Sequence, residues 1–335
     1  MARRVRWGVL GAASIAVRRA IPGMQNGEWC DVAAIASRDL GKAREAAQAL
    51  GIPQAYGSYD ELLADSTIEA IYNPLPNTLH VPWTTRAAEA GKHVLCEKPI
   101  GVTAADAKAL IAVRGRTGVK IEEAFMVRTH PRWLRTRELI RGGRIGPLRA
   151  VSGSFTYFNR DPKNIRNSAA DGGGALLDIG CYPVTLSRFV FGEEPARVLG
   201  LIERDPEMRT DRLTSAIVEF PSGQATFTCS TQLAYHQGMA LLGTTGRIDI
   251  ERPINPPNDQ PSRILIDDNP GDPTGAGITA EMIPTCDQFT IQGDLFSRAI
   301  REDGDVAVPL EDSLQNMRVI DAIFRSGESG RWEIP

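Results

Sequence analysis

The sequence predicts two domains of different texture. A doubly wound α/β domain with a parallel sheet spans residues 1–125. An α+β domain with a large, mostly antiparallel open-faced sheet spans 126–335. Three observations predict this. At 335 residues the chain is long enough for two cores. Up to residue 125, short Val/Ile/Ala-rich runs bounded by Gly or Pro alternate with helical patterns, which indicates βαβ units. Beyond it, strand-like runs follow one another across Gly-containing turns, the pattern of an antiparallel sheet.

The elements follow in order. "RVRWGVL" is the first strand and Ile15 to Gln25 the first helix. "DVAAIAS", "GKAREAAQALG", "IEAIYNP", "HVPWTTRAAEAG", "KHVLCEKP", "AADAKALIAVRGRTG" and "VKIEEAF" then alternate strand and helix. These strands are apolar throughout because a parallel sheet is covered on both faces. In the second domain "PRWLRTRELIRGG" is helical and "LRAVSGSFTYF" is a strand. A loop rich in Asn, Arg and Gly leads to the helical "ALLDIGCYPVTLSRFVFG". The strand-like runs are "ARVLGLIER", "LTSAIVEF", "GQATFTCSTQLA", "GMALLGTTG" and "RIDIERP". "INPPNDQPSR" and "DDNPGDPTGAG" read as loops, and helices over about 286–301 and 309–325 close the chain.

Bulk properties exclude several functions. A formal charge of −3 points to neither nucleic acid nor an anionic membrane as partner. No apolar stretch reaches spanning length, and the Arg3-Arg4 pair lacks the apolar region and cleavage site of an export signal, which predicts a cytoplasmic protein. Five scattered cysteines without a CxxC pair predict reduced, mostly buried thiols. Four dispersed histidines without HxxxH or HExxH predict no metal site.

"GVLGAASIA" lies where the first strand turns into the first helix. The dinucleotide fingerprint of a Rossmann domain needs a glycine for the tight turn, a second for close approach of the pyrophosphate, and a small third residue for packing. Gly11, Ala13 and Ala16 take these places, so the middle glycine is replaced. Backbone N–H groups from Ala12, Ala13, Ser14 and Ile15 then stand at a helix N-terminus suited to phosphate. The second strand ends in Ser37 and Arg38, with Lys42 one turn further. A hydroxyl, a guanidinium and an ammonium suit the 2′-phosphate of NADP, which is expected over NAD. Asp39 competes as a ribose ligand but also reads as the N-cap of the next helix.

In "VLCEKPI", Glu97 and Lys98 end an apolar strand, where ligands bind in nucleotide folds. "DGGGALLDIGCYPV" places Asp178 and Tyr182 four residues apart on one helical face. Gly172 to Gly174 allow the chain to pass close to something flat. With "PLPNTLHVPW", "GKHVLCEKP", "GGGALLDIGCY" and "PLEDSLQNMRVIDAIFRSGESGRW", the whole chain resembles the glucose–fructose oxidoreductase / inositol dehydrogenase / MocA (Gfo/Idh/MocA) family. Within it the chain is most similar to NADP-dependent sugar (xylose/glucose) dehydrogenases and dimeric dihydrodiol dehydrogenases, in which tyrosine stands where inositol dehydrogenases have histidine. Tyr182 is that tyrosine.

The resemblance implies an oxidoreductase in which Lys98 and Tyr182 flank the reacting carbonyl or carbinol and Lys98-Pro99 is a cis peptide bond. It implies further that Pro76, Asn77 and His80 line the nicotinamide side, that Leu75, Glu97 and Lys98 also bind the cofactor, and that Arg166 lies over it. Met126 departs from the asparagine common in relatives. The chemistry agrees, because a tyrosine with a pKa of about 10 needs a neighbouring ammonium such as Lys98 to serve as a base near neutrality. Asp178 would hold Lys98 in place. Arg128, His130, Phe158, Arg160, Asn164 and His236 are candidates for contacting the hydroxyls of a sugar or cyclic polyol. The alternatives are a trans-dihydrodiol dehydrogenase, a sugar–sugar oxidoreductase, or a non-catalytic NAD(P) sensor. A homodimer or homotetramer through the open sheet face is expected, from apolar residues of "ATFTCSTQL" and "MALLG".

Overall fold

Val5, Trp7, Val9 and Leu10 are all fully buried, and around them the apolar runs of the N-terminal region assemble into one sheet. The computed structural model of the protein describes residues 3–269 and 274–335. The sheet comprises β1 (Val5–Leu10), β2 (Cys30–Ala36), β3 (Gln54–Tyr56), β4 (Ala70–Asn73), β5 (His93–Cys96) and β6 (Ile121–Glu123). Their spatial order is β3-β2-β1-β4-β5-β6 and every pairing is parallel. Strand order reverses between β1 and β4, the point outside whose strand carboxyl ends open α/β sheets bind their ligands.

Caps set the helix starts. Asp39 caps Leu40–Leu50, Ser58 caps Tyr59–Ala64, and Thr103 with Asp106 forms a capping box on Ala104–Thr117. The strand β3 and the helix Tyr59–Ala64 had no counterpart in the sequence reading. Three residues are too few to display a period.

The chain forms two compact units, Met1–Thr129 with Asp287–Leu314, and His130–Cys286 with Gln315–Pro335. The chain thus returns to the first unit through helix Gln288–Glu302. There the Trp7 indole N–H donates to Ser297 Oγ at 3.0 Å, and a Cβ on Gly23 would meet Phe289 Cβ at 2.7 Å. Arg301 pairs with Glu69 at 2.6 Å.

The second unit holds β7 (Leu148–Phe158), β8 (Arg197–Arg204), β9 (Asp211–Phe220), β10 (Gly223–Ser230), β11 (Gln232–Gly243), β12 (Arg247–Glu251), β13 (Ser262–Asp267) and β14 (Thr279–Ile283). The order is β14-β13-β12-β11-β7-β10-β9-β8, antiparallel except for β7 with β10. The run "GQATFTCSTQLA" is two strands, because the chain turns at Thr231. Neither β13 nor β14 was expected. The loop reading of "DDNPGDPTGAG" falls partly on residues 270–273, which lie outside the described residues.

One face of this sheet is covered, and period-two alternation decides which residues it takes. Ala225, Phe227, Cys229, Met239 and Leu241 are buried. The apolar residues of "ATFTCSTQL" and "MALLG" therefore lie mostly inward, contrary to expectation. Ser152, Ser215, Thr226, Thr228, Leu199, Leu201 and Ile217 instead line a groove of about 510 Å³, with Leu201 77% exposed. Among the described residues no helix is long and apolar enough to cross a membrane.

Candidate active site

The first unit gathers its candidate residues at the carboxyl ends of β1, β2, β4 and β5. Gly11 turns the chain out of β1 at φ +87°, a conformation that L side chains rarely adopt, and a Cβ there would meet Leu75 Cδ2 at 3.1 Å. Residues 14–25 follow as a helix with a π turn at Ala16–Ala20. The first N–H groups of a helix have no carbonyl four residues back. Ala12 and Ser14 are exposed, with Ala13 and Ile15 half-buried.

At the end of β2, Asp39 Oδ1 accepts the N–H groups of Gly41 at 2.8 Å and Lys42 at 3.2 Å. Its carboxylate is engaged as a helix cap, while Ser37 is half-buried and Arg38 and Lys42 are exposed. The Tyr59 hydroxyl oxygen, 3.5 Å from where a Gly11 Cβ would stand, accepts from the Arg38 guanidinium. Burial pushes Tyr59 above the ordinary tyrosine value and Arg38 opposes that shift. Tyr59 was not singled out in the sequence, where a tyrosine inside a short helix carries no local signal.

The loops after β4 and β5 are tied together. The Lys98-Pro99 peptide bond is cis, as the resemblance implied. Glu97, half-buried, accepts the Tyr72 hydroxyl at 2.6 Å, and Lys98 beside it is also half-buried. His80 is 1% exposed, with Nδ1 2.7 Å from the Pro99 carbonyl oxygen and Nε2 2.7 Å from that of Leu75. Burial pushes its pKa down to about 4, and the Lys98 charge acts in the same direction. His80 therefore stands beneath the two loops as their brace. Pro76, at the cap of helix Asn77–Glu89, and Asn77, its first residue, are half-buried.

In the second unit the helix predicted from "ALLDIGCYPVTLSRFVFG" begins as a π turn, Leu176–Gly180, and continues as Cys181–Phe191. Such turns are frequent at functional sites. Asp178 Oδ2 receives the Tyr157 hydroxyl at 2.6 Å and lies 3.0 Å from Arg166 Nε. Desolvation, with the Asp178 charge behind it, drives Tyr157 far above the ordinary tyrosine value and keeps it a donor. Tyr182 is buried, its ring 6.3 Å from that of Phe155. Tyr157 sits in a strand pattern that hides its role.

The glycine run makes its close approaches within the protein. A Cβ on Gly173 would lie 2.5 Å from the Arg166 carbonyl oxygen, and one on Gly174 2.0 Å from Asp211 Oδ1.

The remaining candidates are scattered. Arg128 pairs with Asp312 at 2.8 Å, and Met126 is buried in the same 3-10 turn. His130 caps helix Pro131–Arg141 and lies 3.6 Å from Cys286 Sγ. Arg160 pairs with Glu207 at 3.7 Å and Phe158 is 67% exposed. Asn164 caps the turn Ile165–Asn167, and His236 is exposed on β11. Among the described residues no group of His, Cys, Asp or Glu could hold a metal ion.

Residues 5–125 match an oxidoreductase family with an NAD-binding Rossmann fold, and residues 133–249 match the GFO/IDH/MocA C-terminal domain. An uncharacterized oxidoreductase of Rhizobium meliloti is 48% identical over 330 residues, 98% of either chain. The D-xylose 1-dehydrogenase (NADP(+)) 2 of Haloferax volcanii is 35% identical over 97% of this chain and 98% of its own. A 3-ketoreductase of Actinomadura kijaniata, solved with NADP and TDP-benzene, superposes with a TM-score of 0.90 at 30% identity, covering 97% of this chain and 98% of that one. The same ketoreductase has been solved with a tyrosine or a lysine replaced.

Proposed function

The chain belongs to the GFO/IDH/MocA oxidoreductase family, and we propose on that premise that it moves hydride between NADP and a carbinol or carbonyl of a sugar or related cyclic polyol. The observation that carries this reading is Lys98, half-buried at the carboxyl end of β5, the second strand past the strand-order reversal. In the ketoreductase the replaced lysine and tyrosine lie as far apart along the chain as Lys98 and Tyr182 do here.

The residues fit the cofactor. Gly11 leaves the helix N-terminus open to a pyrophosphate. With Asp39 engaged as a cap, Ser37, Arg38 and Lys42 suit a 2′-phosphate rather than a bare ribose. A bound nicotinamide supplies or accepts the hydride at its own ring. The protein's part is the proton. In the proposed reaction Tyr182 takes it from the carbinol, or returns it to the carbonyl oxygen, and the Lys98 ammonium orients that oxygen and favours the phenolate. Asp178, held by Tyr157 and Arg166, is assigned in this reading to keeping the Lys98 ammonium charged.

Reduction of a nucleotide-linked keto-sugar is a second reading, favoured by the TDP-benzene held in the ketoreductase. The proposed assembly is a homodimer or homotetramer through the open face of the second sheet.

Tyr182→Phe tests the chemistry. With a substrate found by screening sugars and polyols against NADP and NAD, kcat should fall by roughly 10²–10⁴, the usual share of acid–base catalysis. NADP affinity should hold. A variant that kept most of its rate would show that the proton travels by another group. Failure of every sugar, polyol and keto-sugar to turn over either cofactor would favour a sensor.

A further inference from the structure

The turn carrying Asp178 and leading to Tyr182 is held by a carboxylate outside the set described so far. Asp211 opens β9 and is 2% exposed. Its Oδ2 accepts the Leu176 N–H at 2.7 Å and the Thr214 hydroxyl at 3.1 Å. Leu176 is the first residue of the π turn, and Ala175 at the cap position offers no side-chain acceptor. Asp211 therefore caps from a neighbouring strand an N–H that the helix leaves unmatched. The approach is so close that only glycine fits opposite. Gly174 has φ +126°, and its missing Cβ would lie 2.0 Å from Asp211 Oδ1. Two residues on, that turn presents Asp178 to Tyr157 and Arg166.

We infer that Asp211 is a positioning residue of the proposed reaction, holding as a carboxylate the turn on which Asp178 and Tyr182 stand. The inference rests on the reading of Tyr182 as the proton carrier. The anionic form matters because a hydrogen bond to an ionised acceptor is about twice as strong as a neutral one.

Burial pushes the Asp211 carboxyl up to about 6, even with the Leu176 and Thr214 bonds favouring the ion. The groups facing it are few. Arg204 of β8 favours the carboxylate. The Cys229 thiol of β10, close to Asp211, Cys181 and Asp178, is pushed well above the ordinary thiol value by burial and stays neutral.

Protonation has opposite effects on folding and on rate. A carboxyl raised in the folded state binds its proton more readily there than in the unfolded chain. As pH falls through about 6 towards the ordinary carboxylate range, Asp211 adds to stability. Over the same window the turn loses its charged acceptor, so kcat declines. An acid loss of kcat without an acid loss of melting temperature is therefore the signature.

The test compares pH–rate profiles and melting temperatures of the wild type, Asp211→Asn and Thr214→Val. Asparagine keeps the shape and an acceptor but cannot ionise. Its kcat near neutrality should fall about tenfold, the weight of the lost charge in one hydrogen bond. NADP affinity should stay within about twofold, and the acid decline of kcat near pH 6 should disappear. Thr214→Val removes one bond that favours the ion, so its acid midpoint should move upward even if Asp211→Asn does not fold. An acid limb unchanged in both variants would overturn the inference. Tyr182→Phe, measured alongside, separates the two failures. If it keeps its rate the reading of Tyr182 is wrong, whereas its collapse with unaltered acid limbs in the other two removes Asp211 alone.

Discussion

At residue scale, Asp39 shows how one hydrogen-bonding choice bears on cofactor selection. An acidic residue at the end of β2 can accept from a ribose hydroxyl. Here its oxygen faces the N–H groups of Gly41 and Lys42, and Arg38 is turned towards the Tyr59 hydroxyl. Arg38→Ala should therefore weaken NADP by about 1.5–3 kcal/mol, the worth of one charge-assisted bond, and leave NAD nearly unchanged. Titration of both cofactors by fluorescence checks it, and equal losses would place the 2′-phosphate elsewhere. Gly11 and the Asp39 cap were legible in the sequence because each is a local requirement of backbone or charge, and the cis Lys98-Pro99 bond was legible through the family resemblance. Tyr59, Tyr157, Asp211 and the bracing role of His80 were not. Each has a partner 19 to 35 residues away, Pro99 for His80, Asp178 for Tyr157, Arg38 for Tyr59 and Leu176 for Asp211, where no spacing rule reaches.

At the scale of elements, β6 is the edge strand of its sheet and yet buries two glutamates, Glu122 and Glu123. Glu123 Oε1 accepts the Ile100 N–H at 2.8 Å, just past the cis bond. Burial pushes Glu122 up to about 8, opposed by the backbone N–H groups of Ala307 and Val308 and by Arg128. A carboxyl raised on folding stabilises the fold below its unfolded value, and that stability is lost as pH rises through the folded one. The wild type should melt lower near pH 9 than near pH 6.5, and Glu122→Gln should shrink that difference. Scanning calorimetry at the two pH values decides it, and an undiminished difference in the variant would place the titration elsewhere. The strands β1, β2, β4, β5 and β7 were readable as apolar or alternating runs. β3 was too short to show a period, and β13 and β14 lie beside Pro- and Gly-rich loops that mask them.

At the scale of the molecule, the open face of the second sheet displays Leu199, Leu201, Ile217 and Leu242 among serines and threonines. A face of this kind suits a second copy of itself. Sedimentation should find a species at least twice the 36.4 kDa chain mass, and Leu201→Arg with Ile217→Arg should return it to a monomer. A 36.4 kDa species alone at micromolar concentration would refute the assembly.

The return of Asp287–Leu314 to the first unit has a consequence for synthesis. Trp7 emerges from the ribosome about 290 residues before its indole partner Ser297 and its ring neighbour Phe296. The first sheet can pair as it leaves the tunnel, yet one flank stays bare until residues 287–314 are made. Domains generally mature in the order they are translated. Here the sheet of the second unit is complete in length before the first core can close.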